Sequence, residues 1–180
     1  AQAVDARVRA SVERFTPSIL EIRHRIHQNP GLGNRETKTA ELVANHLRAL
    51  GIQVRTGVAH TGVIGVLRGG RPGPVVAIRA DMDALPVTED TPYPFNSTVR
   101  TTYNGQDVGV MHACGHDIHT AVQLGVASTL AAMRDHLPGT FLFIFQPAEE
   151  GPPPGENGGA KMMLEEGAFP DPKPSARARK

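Results

Sequence analysis

Residues Met111 to Ala121 read Met-His-Ala-Cys-Gly-His-Asp-Ile-His-Thr-Ala and hold the only cysteine of the chain. Three of the eight histidines, the thiol and an aspartate fall between His112 and His119. Thiolate, imidazole and carboxylate are the ligand types of zinc and its transition-metal neighbours, and gathering them is unfavourable unless something binds them. Cys114 and His116 are too close in sequence for two ligands on one helix face, but they suit an extended loop. A lone cysteine is ordinarily a small buried hydrophobe; here its neighbours are polar and glycine-rich. His112 and His119 are as consistent with hydrogen-bonding support of a ligand, or with a structural role, as with ligation itself.

Two acidic clusters complete the chemistry. Glu149 and Glu150 lie in Gln146-Pro147-Ala148-Glu149-Glu150-Gly151, between an apolar run and Pro152-Pro153-Pro154. Adjacent carboxylates in a bent loop point in different directions, so one can ligate a metal while the other holds a water as general base. Asp81 and Asp83, in Arg79-Ala80-Asp81-Met82-Asp83-Ala84-Leu85-Pro86, alternate across an extended segment and face one side. They could ligate metal, orient a ligand histidine, or form a turn before Pro86.

These residues need elements to hold them. Thr16-Pro17 reads as a helix start, with Ile19, Ile22 and Ile26 on one face and a stop at Asn29-Pro30-Gly31. A second helix fits Thr37 to Leu50, ended by Gly51. Ile52 to Val54 and Gly62 to Leu67 read as strands, Gly69 to Pro74 as a turn, and Val75 to Ile78 as a strand buried on both faces. A long helix is expected from about Thr120 to His136, a strand over Thr140 to Phe145, and a short helix over Gly159 to Gly167. Alternating strands and helices predict an α/β sheet covered by helices. Asp81 and Asp83, Glu149 and Glu150, and Cys114 and His116 then all fall at strand ends or helix starts, where ligands bind in open α/β sheets.

The 180 residues are enough for one domain with a substantial core; residues 1–169 form it and 170–180 read as a polar, loose tail. A formal net charge of +1 gives no electrostatic case for nucleic acid or a membrane surface. No apolar run is long enough to span a bilayer. One cysteine excludes an intramolecular disulfide, which fits the cytoplasm. The opening Ala1-Gln2-Ala3 resembles the small-residue end of a signal peptide, which would instead place the mature chain in the periplasm or outside the cell.

Taken together and in order, the Arg79–Pro86, Met111–Asp117 and Gln146–Gly151 motifs resemble the signature of one family. It is the amidohydrolase branch of the aminoacylase and carboxypeptidase-like dinuclear metallopeptidases, which includes hippurate hydrolase and the auxin-conjugate hydrolases. The segment Ile22 to Pro30, with His24, resembles the amino-terminal helix of that family, and the likeness extends to about Phe169. It implies a mixed, mostly parallel sheet flanked by helices, the zinc-exopeptidase-like catalytic domain, here incomplete and without the lid domain. It implies Cys114, His116 and Glu150 as metal ligands and Glu149 as general base, with Asp81, Asp83, Asp117 and His119 in supporting positions. Two divalent ions (zinc, manganese, cobalt or nickel) are implied in a full-length parent, acting on N-acyl amino acids or small peptides. The family draws further histidine ligands from beyond the glutamate pair, whereas no histidine follows His136, so weak or partial occupancy is expected here. Two other readings compete: a thiol hydrolase with Cys114 as nucleophile, and a non-catalytic fragment. Oligomeric state and substrate preference are not legible.

Overall fold

The computed structural model describes residues 2–169 and 176–178. Helix α1 (Gln2–Gln28) and helix α2 (Thr37–Ala49) precede strands β1 (Gln53–Val58), β2 (Gly62–Arg68) and β3 (Arg71–Asp81). A hairpin of β4 (Arg100–Tyr103) and β5 (Gln106–Gly109) leads to helix α3 (His116–Ala132). Then come a short 3-10 turn (Arg134–His136), β6 (Pro138–Gln146), α4 (Gly159–Glu165) and β7 (Ala176–Ala178). The main sheet runs β1-β2-β6-β3-β7. It is mixed, as expected: β1–β2 and β2–β6 pair antiparallel, while β6–β3 and β3–β7 pair parallel.

Alternation along the inner strands builds both layers. From β6, Phe143 and Phe145 enter the core shared with α2, α3 and the inner end of α1, alongside Val63 and Leu67 of β2 and Ala80 of β3. Leu142 and Ile144 point to the opposite face, where Ile64, Ala77 and Met163 of α4 meet them. This is why Thr140 to Phe145 reads as a continuous apolar run: β6 is covered on both sides. The Val75 to Ile78 run is less enclosed than expected, since only Ala77 is buried and its neighbours are half-buried.

Two expectations are corrected. The first helix begins at Gln2, and Pro17 lies inside it. Thr16 does not cap; its hydroxyl donates back to the Val12 carbonyl at 2.7 Å. Proline is tolerated because the Glu13 turn is exposed, so the carbonyl that loses its amide donor can turn to water. The long helix starts at His116 rather than Thr120 and gives way to a 3-10 turn after Ala132. The tail expected to be loose falls largely outside the described residues, but its Ala176–Ala178 is a strand in register with Val76–Ile78. No described helix is long and apolar enough to cross a membrane.

Truncating the fully buried Phe143 leaves a cavity between the sheet and α3. Phe143→Ala is expected to cost about 3–5 kcal/mol in urea unfolding. A second expectation concerns His46 of α2, whose Nε2 meets Ser128 Oγ of α3 at 2.9 Å. Burial holds its pKa below the ordinary 6.5. The unfolded chain therefore takes the proton first, so stability is full above about 6.5 and falls as pH drops through that value. Denaturation at pH 7.5 and 5.5 should show a smaller loss in His46→Gln than in the unaltered chain.

Candidate metal centre

The carboxyl ends of two adjacent parallel strands make the floor of the site. Asp81 closes β3 and is paired in register with Gln146, which closes β6. Asp83 follows two residues later, and Glu149 and Glu150 follow the turn after Gln146. Helix α3 begins beside them: Gly115, at φ 88° in the left-handed region that glycine adopts without strain, precedes the first helical residue, His116. The expected convergence of the three motifs is present, because parallel pairing puts both strand ends on one rim.

Asp83 organises the centre. It is buried, and its Oδ2 accepts the Glu150 backbone N–H at 2.9 Å. His116 Nδ1 lies 2.9 Å from the Asp83 carbonyl and 3.2 Å from its Oδ1, so Nδ1–H is the donor in this network. Burial alone would raise the Asp83 pKa, but the hydrogen bonds from His116 and from the Glu150 and Glu149 amides bring it below the usual carboxylate value. With Nδ1 so engaged, His116 Nε2 is buried and has no hydrogen-bond partner among the described residues. It faces Glu149 Oε2 at 3.7 Å and Glu150 Oε1 at 3.9 Å. A histidine whose one nitrogen is fixed by a carboxylate and whose other nitrogen presents a lone pair is prepared for a metal.

The donor atoms fit that role. One donor atom each from Cys114, His116 and Glu150 lie within 4.8 Å of one another. Two ligands at about 2.0–2.3 Å from one ion are separated by up to about 4.6 Å, so small side-chain adjustments suffice. Cys114 is exposed, whereas His116 is buried. A second group of three, Asp81, His116 and His119, meets the same distance test, with His119 Nδ1 4.0 Å from Asp81 Oδ2. Asp81 is also held by the Arg79 guanidinium, and its carbonyl accepts the Thr120 hydroxyl at 2.8 Å.

Not every expected residue joins the cluster. Asp117 turns away towards α1, where Oδ2 meets Arg23 Nε and His27 Nδ1, each at 2.8 Å. His112 is buried, neither ring nitrogen has a hydrogen-bond partner among the described residues, and burial pushes its pKa down to about 4. His24 stacks on Phe95 with ring centroids 3.9 Å apart. The sequence reading missed Glu36, which reaches the glutamate loop from the start of α2, and the β4–β5 hairpin. The hairpin had a legible signal, Asn104-Gly105, both at positive φ as a tight two-residue turn demands. Glu36 had none, because its partners lie far away in sequence.

The family model for peptidase family M20/M25/M40 matches residues 77–178, the stretch that carries all three motifs. The chain belongs to this family. It is 47% identical over 164 residues to thermostable carboxypeptidase 2 of Saccharolobus solfataricus, a match covering 91% of this chain and 39% of that protein. It is 45% identical over 149 residues to hippurate hydrolase of Campylobacter jejuni, covering 83% of this chain and 35% of the relative. Among solved structures, a dinuclear metal-binding peptidase of the M20 family from Bacillus subtilis superposes with a TM-score of 0.79 at 39% identity, covering 93% of this chain and 43% of that one. The chain thus spans less than half the length of these relatives.

Asp83→Ala removes both the orienting contact on His116 and the acceptor for the Glu150 amide. Loss of such supporting contacts typically weakens a metal site about 10–100-fold, and a zinc titration of the variant followed by calorimetry should show a drop of that size.

Proposed function

We propose that this chain carries the metal-dependent amidohydrolase centre of its family, with Cys114, His116 and Glu150 as ligands and Glu149 as general base. The observation that supports it best is the buried His116 Nε2, oriented by Asp83 and aimed at the glutamate pair. A divalent ion held by these donors would lower the pKa of a water and act as a Lewis acid towards an amide carbonyl. The two glutamates then divide their work by geometry. Both amides reach Asp83, but only Glu150 shares a donor group of three with Cys114 and His116, which suits it as the ligand. Glu149 stands outside that group of three, with its Oε2 3.7 Å from His116 Nε2, and is left as the base. Its carboxylate takes the proton from the attacking water and returns it to the leaving amine. N-acyl amino acids and small peptides are the substrate class, in line with the names of the carboxypeptidase and hippurate hydrolase relatives. Supporting positions fall to Asp81, Asp83 and His119, while Asp117 acts at a distance through α1.

Two ions, as in the dinuclear Bacillus subtilis relative, would need donors beyond the Cys114, His116 and Glu150 set. Asp81 and His119 are the nearest candidates in this chain. With three donors for the first ion and two for the second, binding is expected to be weaker than in closed four-ligand zinc sites, which reach about 10–16 kcal/mol.

Glu149→Gln should lower hippurate hydrolysis by about 10²–10⁴-fold while leaving zinc uptake unchanged; loss of zinc in this variant would exchange the roles of the two glutamates. Hydrolysis that survives exhaustive chelation would overturn the metal reading and favour Cys114 as a nucleophile. Hydrolysis that stops on chelation and returns with added zinc supports the metal reading.

A further inference from the structure

Consecutive residues ahead of α2 reach one distant loop. Asn34, at φ 62°, donates through Nδ2 to the Asn157 carbonyl at 2.9 Å and to Glu156 Oε2 at 3.0 Å. The Arg35 guanidinium pairs with the Glu156 carboxylate. Gly33 packs so closely that a Cβ there would stand 2.5 Å from the Gly151 carbonyl oxygen. Glu36 goes deepest: it is 1% exposed, its Oε1 accepts the Ala148 N–H at 2.8 Å, and its Oε2 accepts the Thr61 hydroxyl at 2.5 Å. These contacts grip both ends of the loop that carries Glu149 and Glu150.

The gripped point is unusual. Ala148 has φ 48°, a conformation that residues with a Cβ seldom adopt and that persists only when its surroundings over-determine it. It is buried, so its N–H needs an acceptor there. The bend at Ala148 sets the directions in which the next two side chains leave the backbone. We infer that Glu36 is a positioning residue for the glutamate pair: by accepting the Ala148 amide it fixes the bend that aims Glu149 and Glu150 at His116. The inference rests on the proposed metal-site reading for its functional meaning, but its geometric content stands apart. Burial raises the Glu36 pKa, opposed by the donors at Thr61 and Ala148; the acceptor geometry, which a neutral amide also provides, is what the loop uses.

Glu36→Gln, Glu36→Met and Glu36→Ala in this chain separate acceptor from filler. The first keeps an oxygen for the Ala148 N–H, the second keeps the volume without an acceptor, and the third keeps neither. Amide hydrogen exchange over residues 146–151 and cobalt titration are the readouts, with thermal unfolding run alongside. In Glu36→Gln, exchange and cobalt affinity should stay close to those of the unaltered chain. In Glu36→Met, exchange at Ala148 to Glu150 should rise at least about tenfold while β6 and α3 stay protected, and cobalt affinity should fall about 10–100-fold. Glu36→Ala should show the same local change on top of a lower melting temperature. Unaltered local exchange in Glu36→Met overturns the inference, whatever the melting temperature, and so does a Glu36→Gln variant that matches Glu36→Met. If the unaltered chain takes up no cobalt, the metal reading fails, and the exchange measurements still decide the role of Glu36.

Discussion

One buried carboxylate, that of Asp83, ties together the three segments on which the site depends. Its two oxygens serve different partners. Oδ1 lies beside His116 Nδ1 at the start of α3, and Oδ2 holds the Glu150 amide after β6. Asp83 itself continues β3. The ends of two parallel strands and the first turn of a helix are therefore fixed against one another by a single side chain. A carboxylate can be buried here because donors meet both of its oxygens; an unpaired charge at this depth would be strongly unfavourable. The same contact fixes the tautomer of His116, so the alignment of the chain and the chemistry of the imidazole have one cause.

The sheet makes this possible by keeping the strand ends still. β6 sits between β2 and β3 with both faces covered, and its phenylalanines fill the space beneath α3. Protein interiors pack at crystal-like density, so the packing of Phe143 and Phe145 holds β6 in place while its parallel pairing with β3 sets Gln146 beside Asp81. Gln123 of α3 adds a polar anchor, donating to the Ile144 carbonyl at 3.0 Å. The apolar layer sets where the polar residues lie, and Asp83 then sets how they are oriented.

This division explains what could be read from the sequence. Cys114, His116, Glu149 and Glu150 were legible because each lies in a short motif whose residue types are costly to assemble without a ligand. The strands over Gly62 to Leu67 and Thr140 to Phe145 were legible from their apolar runs. The role of Glu36 was not, since its hydrogen bonds cross to Thr61 and Ala148, and no local pattern encodes that crossing. Pro17 misled for a related reason: a proline at a plausible helix start resembles a boundary, and only the solvent exposure of the preceding turn permits the helix to run through it. Asp117 was grouped with the site because it adjoins His116 in sequence. In a helix, however, successive side chains leave about 100° apart, which sends the two in different directions.

The same divergence anchors the amino-terminal helix. Asp117 binds Arg23 and His27 of α1, and His27 Nε2 reaches Glu89 Oε1 at 3.1 Å, whose other oxygen accepts the Ser97 amide at 2.6 Å. Two carboxylates with buried side chains are thus interleaved with a guanidinium and an imidazole, the kind of pairing that makes burial of such acids tolerable. His116 and Asp117 act as a hinge pin between two networks, one facing the metal-type donors and one anchoring α1 and the segment around Glu89. Rigidity therefore reaches the site from below and behind, through groups that water scarcely touches. Exposure rises in the opposite direction, from Asp83 and His116 to the half-open side chains of Glu149 and Glu150 and to Cys114 at the surface. Anything that binds at Glu149, Glu150 and Cys114 must approach from that side, while the groups that orient them stay dry.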